Sequence, residues 1–256
     1  MIDDATGRVV LVTGAGRACG RVIAEDLAAR HAHVVVNDID PRTGAETVDR
    51  ITAEGGEATL VVADVADDAQ VARMVDACVE TYGRLDVAVN NAGIEVPVEV
   101  AESTPEQFAA VLATNLQGVR SCVAHEIRAL RAGGRGGAIL NMSSVSSDLA
   151  AARGNGLYAA AKGGVDGLTK TVAVEVAAEG ISVNALSFIG ADVEGGMFQR
   201  FVAETGIPEE ELLDAIPAGR KLRPEELCAA VRYLTSEEAR FVIGTNMVLD
   251  GGFTAM

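Results

Sequence analysis

The chain has 256 residues, 49% of them hydrophobic and 23% charged, a length and composition that fit one α/β domain with a real core. Acids outnumber bases 37 to 21 for a formal charge of −16, which argues against nucleic-acid and anionic-membrane partners, since both need a basic face. The four cysteines and three histidines fit no zinc spacing, no apolar run approaches the ~20 residues that span a bilayer, and the acidic start MIDDATGR lacks a signal-type apolar stretch; a soluble cytoplasmic chain without a protein-built metal site is expected.

The elements alternate along the chain. RVVLVTG is a buried-strand run closed by a glycine turn, and RVIAEDLAAR carries Val22, Ile23 and Leu27 at helical spacing. HVVVNDI is a second strand, RTGAETVDRITAEG a polar-faced helix ending in Gly55, ATLVVADV a third strand, and DAQVARMVDACVETYG an amphipathic helix closed by Gly83. LDVAVNNAG is a strand entering a turn, followed by one long helical stretch from about Thr104 to Leu130. GGAILNMSS, the helix GLYAAAKGGVDGLTKTVAVEVAAEG and the strand ISVNALS come next. A loop-rich segment over 190–219, read as a substrate lid, precedes the helix RPEELCAAVRYLTSEEA and the last strand TNMVLDGG. This order predicts a three-layer, doubly wound Rossmann fold with a mostly parallel sheet of about seven strands, over a single domain 1–256. Ligands bind such sheets at the C-terminal strand ends, which here carry Gly14, Asp38, Asp64, Asn90, Ser143, Ser144 and the Ser187–Gly190 turn.

TGAGRACG fails the strict G-x-G-x-x-G fingerprint, because Cys19 stands where the third glycine belongs, and alone it reads equally well as a tight connection. Its place between a strand and a helix favours phosphate. Asp38 ends the next strand near the 20-residue offset of a ribose-binding carboxylate. An acid there repels a 2′-phosphate by about 4 kcal/mol at ~4 Å and an effective dielectric of ~20, so NAD is expected over NADP unless Arg17 or Arg42 intervenes. Tyr158 and Lys162 lie four apart in a helical stretch and share a face, with Ser143 and Ser144 at a strand end upstream and Asn115 in a helix. A buried ammonium beside a phenol lowers the phenol's pKa and fits Tyr158 for acid–base work near neutrality.

These motifs, in order, resemble the short-chain dehydrogenases/reductases of about 250 residues: TGAGRACG, NDI, ADV, NNAG, TNLQG, LNMSS, YAAAK, ISVNA and VLDGG. The resemblance implies that Tyr158 exchanges the proton, Lys162 binds the nicotinamide ribose and tunes Tyr158, Ser144 orients the substrate carbonyl, and Asn115 anchors a water that links Lys162 to solvent. It places the cofactor against Gly14, Arg17, Cys19, Gly20, Asp38, Ile39, Asp64 and Val65 (the last two at adenine), against Asn90, Asn91, Ala92 and Gly93, and against Ile189 and Val193. It also implies a homotetramer, with a dimer second, built on the apolar helix from Gly156 to Ala178 and the C-terminal strand.

The sequence departs from that family at three places. The middle glycine of T-G-x-x-x-G-x-G is Ala18, whose methyl costs on the order of 1 kcal/mol if φ is positive there. Cys19, beside it, reads as a small packing residue, with a lowered pKa as the rival reading. SFIGADVEGG puts Phe188-Ile189 where the family has Pro-Gly and Val193 at the position of a carboxamide-binding Thr, leaving backbone near Gly190 and Val193 for that task. Ser144 precedes Tyr158 by fourteen residues, one more than is common, so Ser143 and Ser146 are alternative hydroxyls, and the extra residue lies in SDLAAARGNG beside the expected substrate cleft. The resulting expectation is an NAD(H)-dependent oxidoreductase interconverting a small secondary alcohol and a ketone. Its rivals are an NADPH-dependent 3-oxoacyl-type ketoreductase and a cofactor-binding protein with a non-redox or scaffold role.

Overall fold

The structure is a computed structural model and describes residues 5–149 and 153–256. Its centre is a seven-stranded sheet in which every neighbouring pair runs parallel. The strands are β1 (Val9–Val12), β2 (His33–Asp38), β3 (Glu57–Val62), β4 (Val87–Asn90), β5 (Gly137–Met142), β6 (Ile181–Phe188) and β7 (Asn246–Leu249). Their order across the sheet is β3-β2-β1-β4-β5-β6-β7, so the winding reverses between β1 and β4 and opens a crevice at that switch point. β1, β4 and β5 are buried at every position, which is why they read as continuous apolar runs and not as alternations.

Helices cover both faces. α1 (Ala18–Ala28), α2 (Pro41–Ala53) and α9 (Pro224–Thr235) bury Ile23, Leu27, Ile51 and Leu227 on one face. On the other, α3 (Asp68–Tyr82), α5 (Val119–Gly133) and α6 (Gly156–Val176) bury Met74, Ile127, Leu130 and Val165. Local chemistry sets the helix ends. Asp67 caps α3 by accepting from the Ala69 and Gln70 amides, and Gly83 closes it at φ 75°. Thr104 and Gln107 form a reciprocal capping box at the start of α4 (Pro105–Leu112). The expected helical stretch from Thr104 to Leu130 runs on as α4, a π-helical turn over Ala113–Gly118 and α5. Between β6 and α9 the segment predicted as a lid carries α7 (Met197–Thr205) and α8 (Glu209–Asp214). Among the described residues no helix is long and apolar enough to cross a membrane, and no cluster of three His, Cys, Asp or Glu stands ready for a metal.

Candidate active site

The crevice is a cavity of about 410 Å³ along the C-terminal strand ends. One end is built by the loop after β1. Thr13 Oγ1 accepts from the Asn91 and Ala92 amides at 3.0 and 3.1 Å, and Asn91 Nδ2 donates to the Thr13 and Gly14 carbonyls at 3.0 and 3.1 Å. The glycines make this closeness possible: a Cβ on Gly14 would lie 2.8 Å from Ala92 Cα, and one on Gly20 would collide with the Gly14 carbonyl oxygen. No side chain caps the first amides of α1, and Gly14, Arg17, Ala18, Cys19 and Gly20 line the cavity around them. Open amides at a helix start with an arginine beside them fit a pyrophosphate. Asp38 is buried at the end of β2, its Oδ2 accepting from the Gly16 amide at 2.9 Å and its Oδ1 from the Asp40 amide at 3.0 Å. Further acceptor capacity on both oxygens is left for sugar hydroxyls. Ile39, Asp64, Val65, Asn91, Ala92 and Gly93 line the same end. Arg42 is committed to Asp40 at 2.9 Å and offers Asp38 nothing.

Asn90 does not line the cavity. Its Nδ2 donates to Glu126 Oε2 at 3.1 Å and to Asn141 Oδ1 at 3.0 Å, so its side chain belongs to a buried network under β4 and β5 and not to the cavity wall. The side chain at the end of a strand turns into the interior here because α5 brings a carboxyl beneath it.

At the middle of the cavity α6 presents Tyr158 and, one turn on, Lys162, both buried. Lys162 Nζ donates to the Met142 carbonyl at 2.6 Å and lies 5.4 Å from the Tyr158 ring centroid. Burial lowers the Lys162 pKa to about 8, with Asp166 pulling the other way. Burial also pushes the Tyr158 phenol well above its ordinary value, Glu95 and Cys19 add to that, and a hydrogen bond with Ser144 opposes it. The expected lowering of Tyr158 is therefore not present in this state. The ammonium is turned onto the Met142 carbonyl and the ring, and desolvation of the phenolate dominates. Of the three candidate serines, Ser144 is the one that reaches Tyr158; its Oγ also accepts from the Ser146 amide at 3.2 Å. Ser143 Oγ is buried without a partner, and Ser146 Oγ accepts from Asn155 Nδ2 at 3.2 Å.

Asn115 is fully buried in the π-helical turn and does not line the cavity. Its Oδ1 accepts from the Ile94 amide at 2.9 Å and its Nδ2 donates to the Ile94 carbonyl at 2.7 Å. Asn115 thus positions the Gly93–Glu95 wall of the site. Each of its polar atoms has one protein partner and keeps capacity for another.

The far end is walled by Phe188, Ile189, Val193 and residues of the lid. A sequence profile described as enoyl-(acyl carrier protein) reductase matches residues 14–254. The chain belongs to the short-chain dehydrogenase/reductase family. It is 38% identical over 254 residues to a cis-4-hydroxycyclohexanecarboxylate dehydrogenase of Sinomonas cyclohexanicum, covering 97% of each chain. It is 36% identical over 256 residues to a cyclohexanol dehydrogenase of an Acinetobacter strain, covering 100% of this chain and 98% of the relative. Among solved structures, a gluconate 5-dehydrogenase from Burkholderia cenocepacia, in complex with NADP and tartrate, superposes with a TM-score of 0.92 at 34% identity, over 100% of this chain and 99% of the other.

For this short-chain dehydrogenase/reductase the departures noted in the sequence have structural form. Ala18 stands at φ 47°, the conformation a glycine would take freely. Burial pushes the Cys19 thiol up to about 11, so it is a packing residue against the β-sheet core and not an activated thiol. Val193 is buried, and its amide already donates to the Ala191 carbonyl at 3.0 Å, which removes it as a free backbone donor. Of the polar residues near the cleft, Glu95 and Asn155 line the cavity, while Arg153 pairs with Glu99 at 2.9 Å and Asp148 is exposed. Part of the SDLAAARGNG segment, 150–152, lies outside the described residues. Phe188, Met197, Phe198 and Phe201 all line the cavity. Arg200, between two of these phenylalanines, joins them, and the missed signal was a lone basic residue in an otherwise apolar lid helix.

Proposed function

We propose that the enzyme interconverts a secondary alcohol and a ketone with NAD(H), using Tyr158 as the proton donor and acceptor. The observation that carries this reading is the grouping of Tyr158, Ser144 and Lys162 in one cavity that carries Asp38 and the uncapped start of α1 at its nucleotide end. A bound nicotinamide nucleotide supplies the hydride acceptor or donor. In the reductive direction a buried, protonated Tyr158 hands its proton to the carbonyl oxygen while the Ser144 hydroxyl holds that oxygen. In the oxidative direction Tyr158 must first lose its proton, and the Lys162 ammonium, present below about pH 8, is the charge that steadies the phenolate. Oxidation should therefore accelerate with rising pH more than reduction does.

Asp38 supports NAD over NADP, because a 2′-phosphate would meet a buried carboxylate and Arg42 is held by Asp40. The Burkholderia relative holds NADP, so the choice for this chain rests on Asp38. The two dehydrogenases of ring alcohols support a cyclic secondary alcohol as the first substrate class to try. The test is a screen of cyclic secondary alcohols with NAD and with NADP, followed by nicotinamide absorbance. NAD should be preferred by about a hundredfold or more, and Tyr158→Phe should lower kcat by about a hundredfold or more. Turnover that survives Tyr158→Phe would remove the mechanism. A clear preference for NADPH would replace this reading with the ketoreductase one.

A further inference from the structure

Beyond Tyr158, the cavity wall formed by the lid is apolar, with Phe198, Phe201 and Leu212 facing inward. Arg200 breaks that surface. Among the described residues its guanidinium has no ion pair and no hydrogen bond, and its Nε is buried without a partner. Acids outnumber bases 37 to 21 in this chain and arginines such as Arg42, Arg50, Arg131 and Arg220 each hold a carboxylate, whereas Arg200 holds none. A buried guanidinium nitrogen left without an acceptor costs free energy that a ligand can return. Arg200 belongs to the substrate half of the cavity, since it acts electrostatically on Glu95, and Glu95 in turn acts on Tyr158. The phosphate end has its own arginine, Arg17.

We infer that Arg200 anchors a carboxylate on the substrate, so that the enzyme takes a secondary alcohol or ketone whose apolar skeleton carries an acid group away from the reacting carbon. This rests on the reading of the cavity as a dehydrogenase site. The planar guanidinium matches a carboxylate with two parallel N–H donors, and the phenylalanines beside it cover the hydrocarbon. Glu95 is the one acid at this end. Burial holds its pKa up to about 7, opposed by Arg200 and by a hydrogen bond from Asn155 and reinforced by Glu204. In its neutral form it neither pairs with Arg200 nor repels an incoming anion. A phosphate group would want several donors, and the lid offers one guanidinium; a carboxylate is satisfied by it.

The experiment uses two ring compounds that carry no oxidisable alcohol, cyclohexanecarboxylate and cyclohexanecarboxamide, titrated calorimetrically into the full-length protein at pH 6. The carboxylate should bind about tenfold or more tightly than the amide. Arg200→Gln should collapse that ratio towards one, and Arg200→Lys should keep part of it. An equal affinity for the two probes, or a ratio that survives Arg200→Gln, overturns the inference. Because binding is read without turnover, the two readings fail separately. Oxidation of neutral ring alcohols without a carboxylate preference removes the anchor and keeps the dehydrogenase. A carboxylate preference lost in Arg200→Gln, in a protein that turns over no alcohol, keeps the anchor and removes the dehydrogenase.

Discussion

Ala18 is the residue at which the loop's geometry and its chemistry disagree. It sits at φ 47°, where an L side chain brings Cβ against the following carbonyl at a cost of about 1–2 kcal/mol. Ala→Gly normally destabilises a helix end by freeing the unfolded chain. Here the relief of strain should outweigh that, so Ala18→Gly should leave stability unchanged or raise it by about 0.5–1 kcal/mol, and tighten the cofactor severalfold. Thermal unfolding with and without NAD measures both; a lower melting temperature would show that Ala18 carries no strain. Glu95 supplies a second prediction at this scale. Its raised pKa means that it takes up charge as the pH rises through about 7, and Arg200, Glu204, Asn155 and Tyr158 are the groups it then faces. Ionised, it competes for Arg200 and repels a bound acid. The affinity for cyclohexanecarboxylate should accordingly fall between pH 6 and pH 8, while Glu95→Gln should hold it flat over that range.

At the scale of elements, the join between α4 and α5 does the positioning, and α5 hides a titratable group. Glu126 is fully buried on α5, and burial raises its pKa to about 8 against the pull of Asn90. Its Oε1 and the Asn90 Oδ1 are both buried acceptors without partners. A proton on Glu126, or an amide N–H in its place, supplies a donor among these acceptors. The folded state holds that proton more tightly than the unfolded chain, whose glutamates titrate near 4.3. The stability it provides is thus complete below about pH 4 and is lost progressively as the pH climbs through about 8. Glu126→Gln should raise the melting temperature by several degrees at pH 8 and change it by less than about 2 °C at pH 5. Equal shifts at both pH values would mean that Glu126 is ionised in the fold. The same elements show what the sequence made legible. The strands were readable because β1, β4 and β5 are buried at every position and mostly apolar, and the Tyr158–Lys162 pair because four residues bring two side chains onto one helical face. The π-helical turn was not, since one wide turn shifts the apolar phase by a single residue, too little to break a helical pattern. Nor was the inward turn of Asn90, which depends on an acid thirty-six positions away.

For the whole molecule, the sheet ends in a short strand with one open edge, and apolar surface gathers beside it. β7 leaves Val248 43% exposed, Phe241 just before it is fully exposed, and Val174 on α6 is 77% exposed. The turn at Gly244, just before β7, packs against Lys170 and Ala173 of α6. Elsewhere the −16 charge keeps copies apart, which makes an apolar strip at the edge of the sheet the place where they can meet. A two-fold contact through α6 and β7 would pair each edge with its copy, and a second contact on another face would complete closed tetrameric symmetry. The expected species is a homotetramer of four 26.4 kDa chains. Light scattering behind a sizing column should report that mass at micromolar concentration. Phe241→Asp should shift the peak to a smaller species while leaving the fold intact, since Phe241 buries nothing within its own chain. A wild-type peak at one chain's mass would remove the assembly altogether. A tetramer indifferent to Phe241→Asp would move the contact to another face.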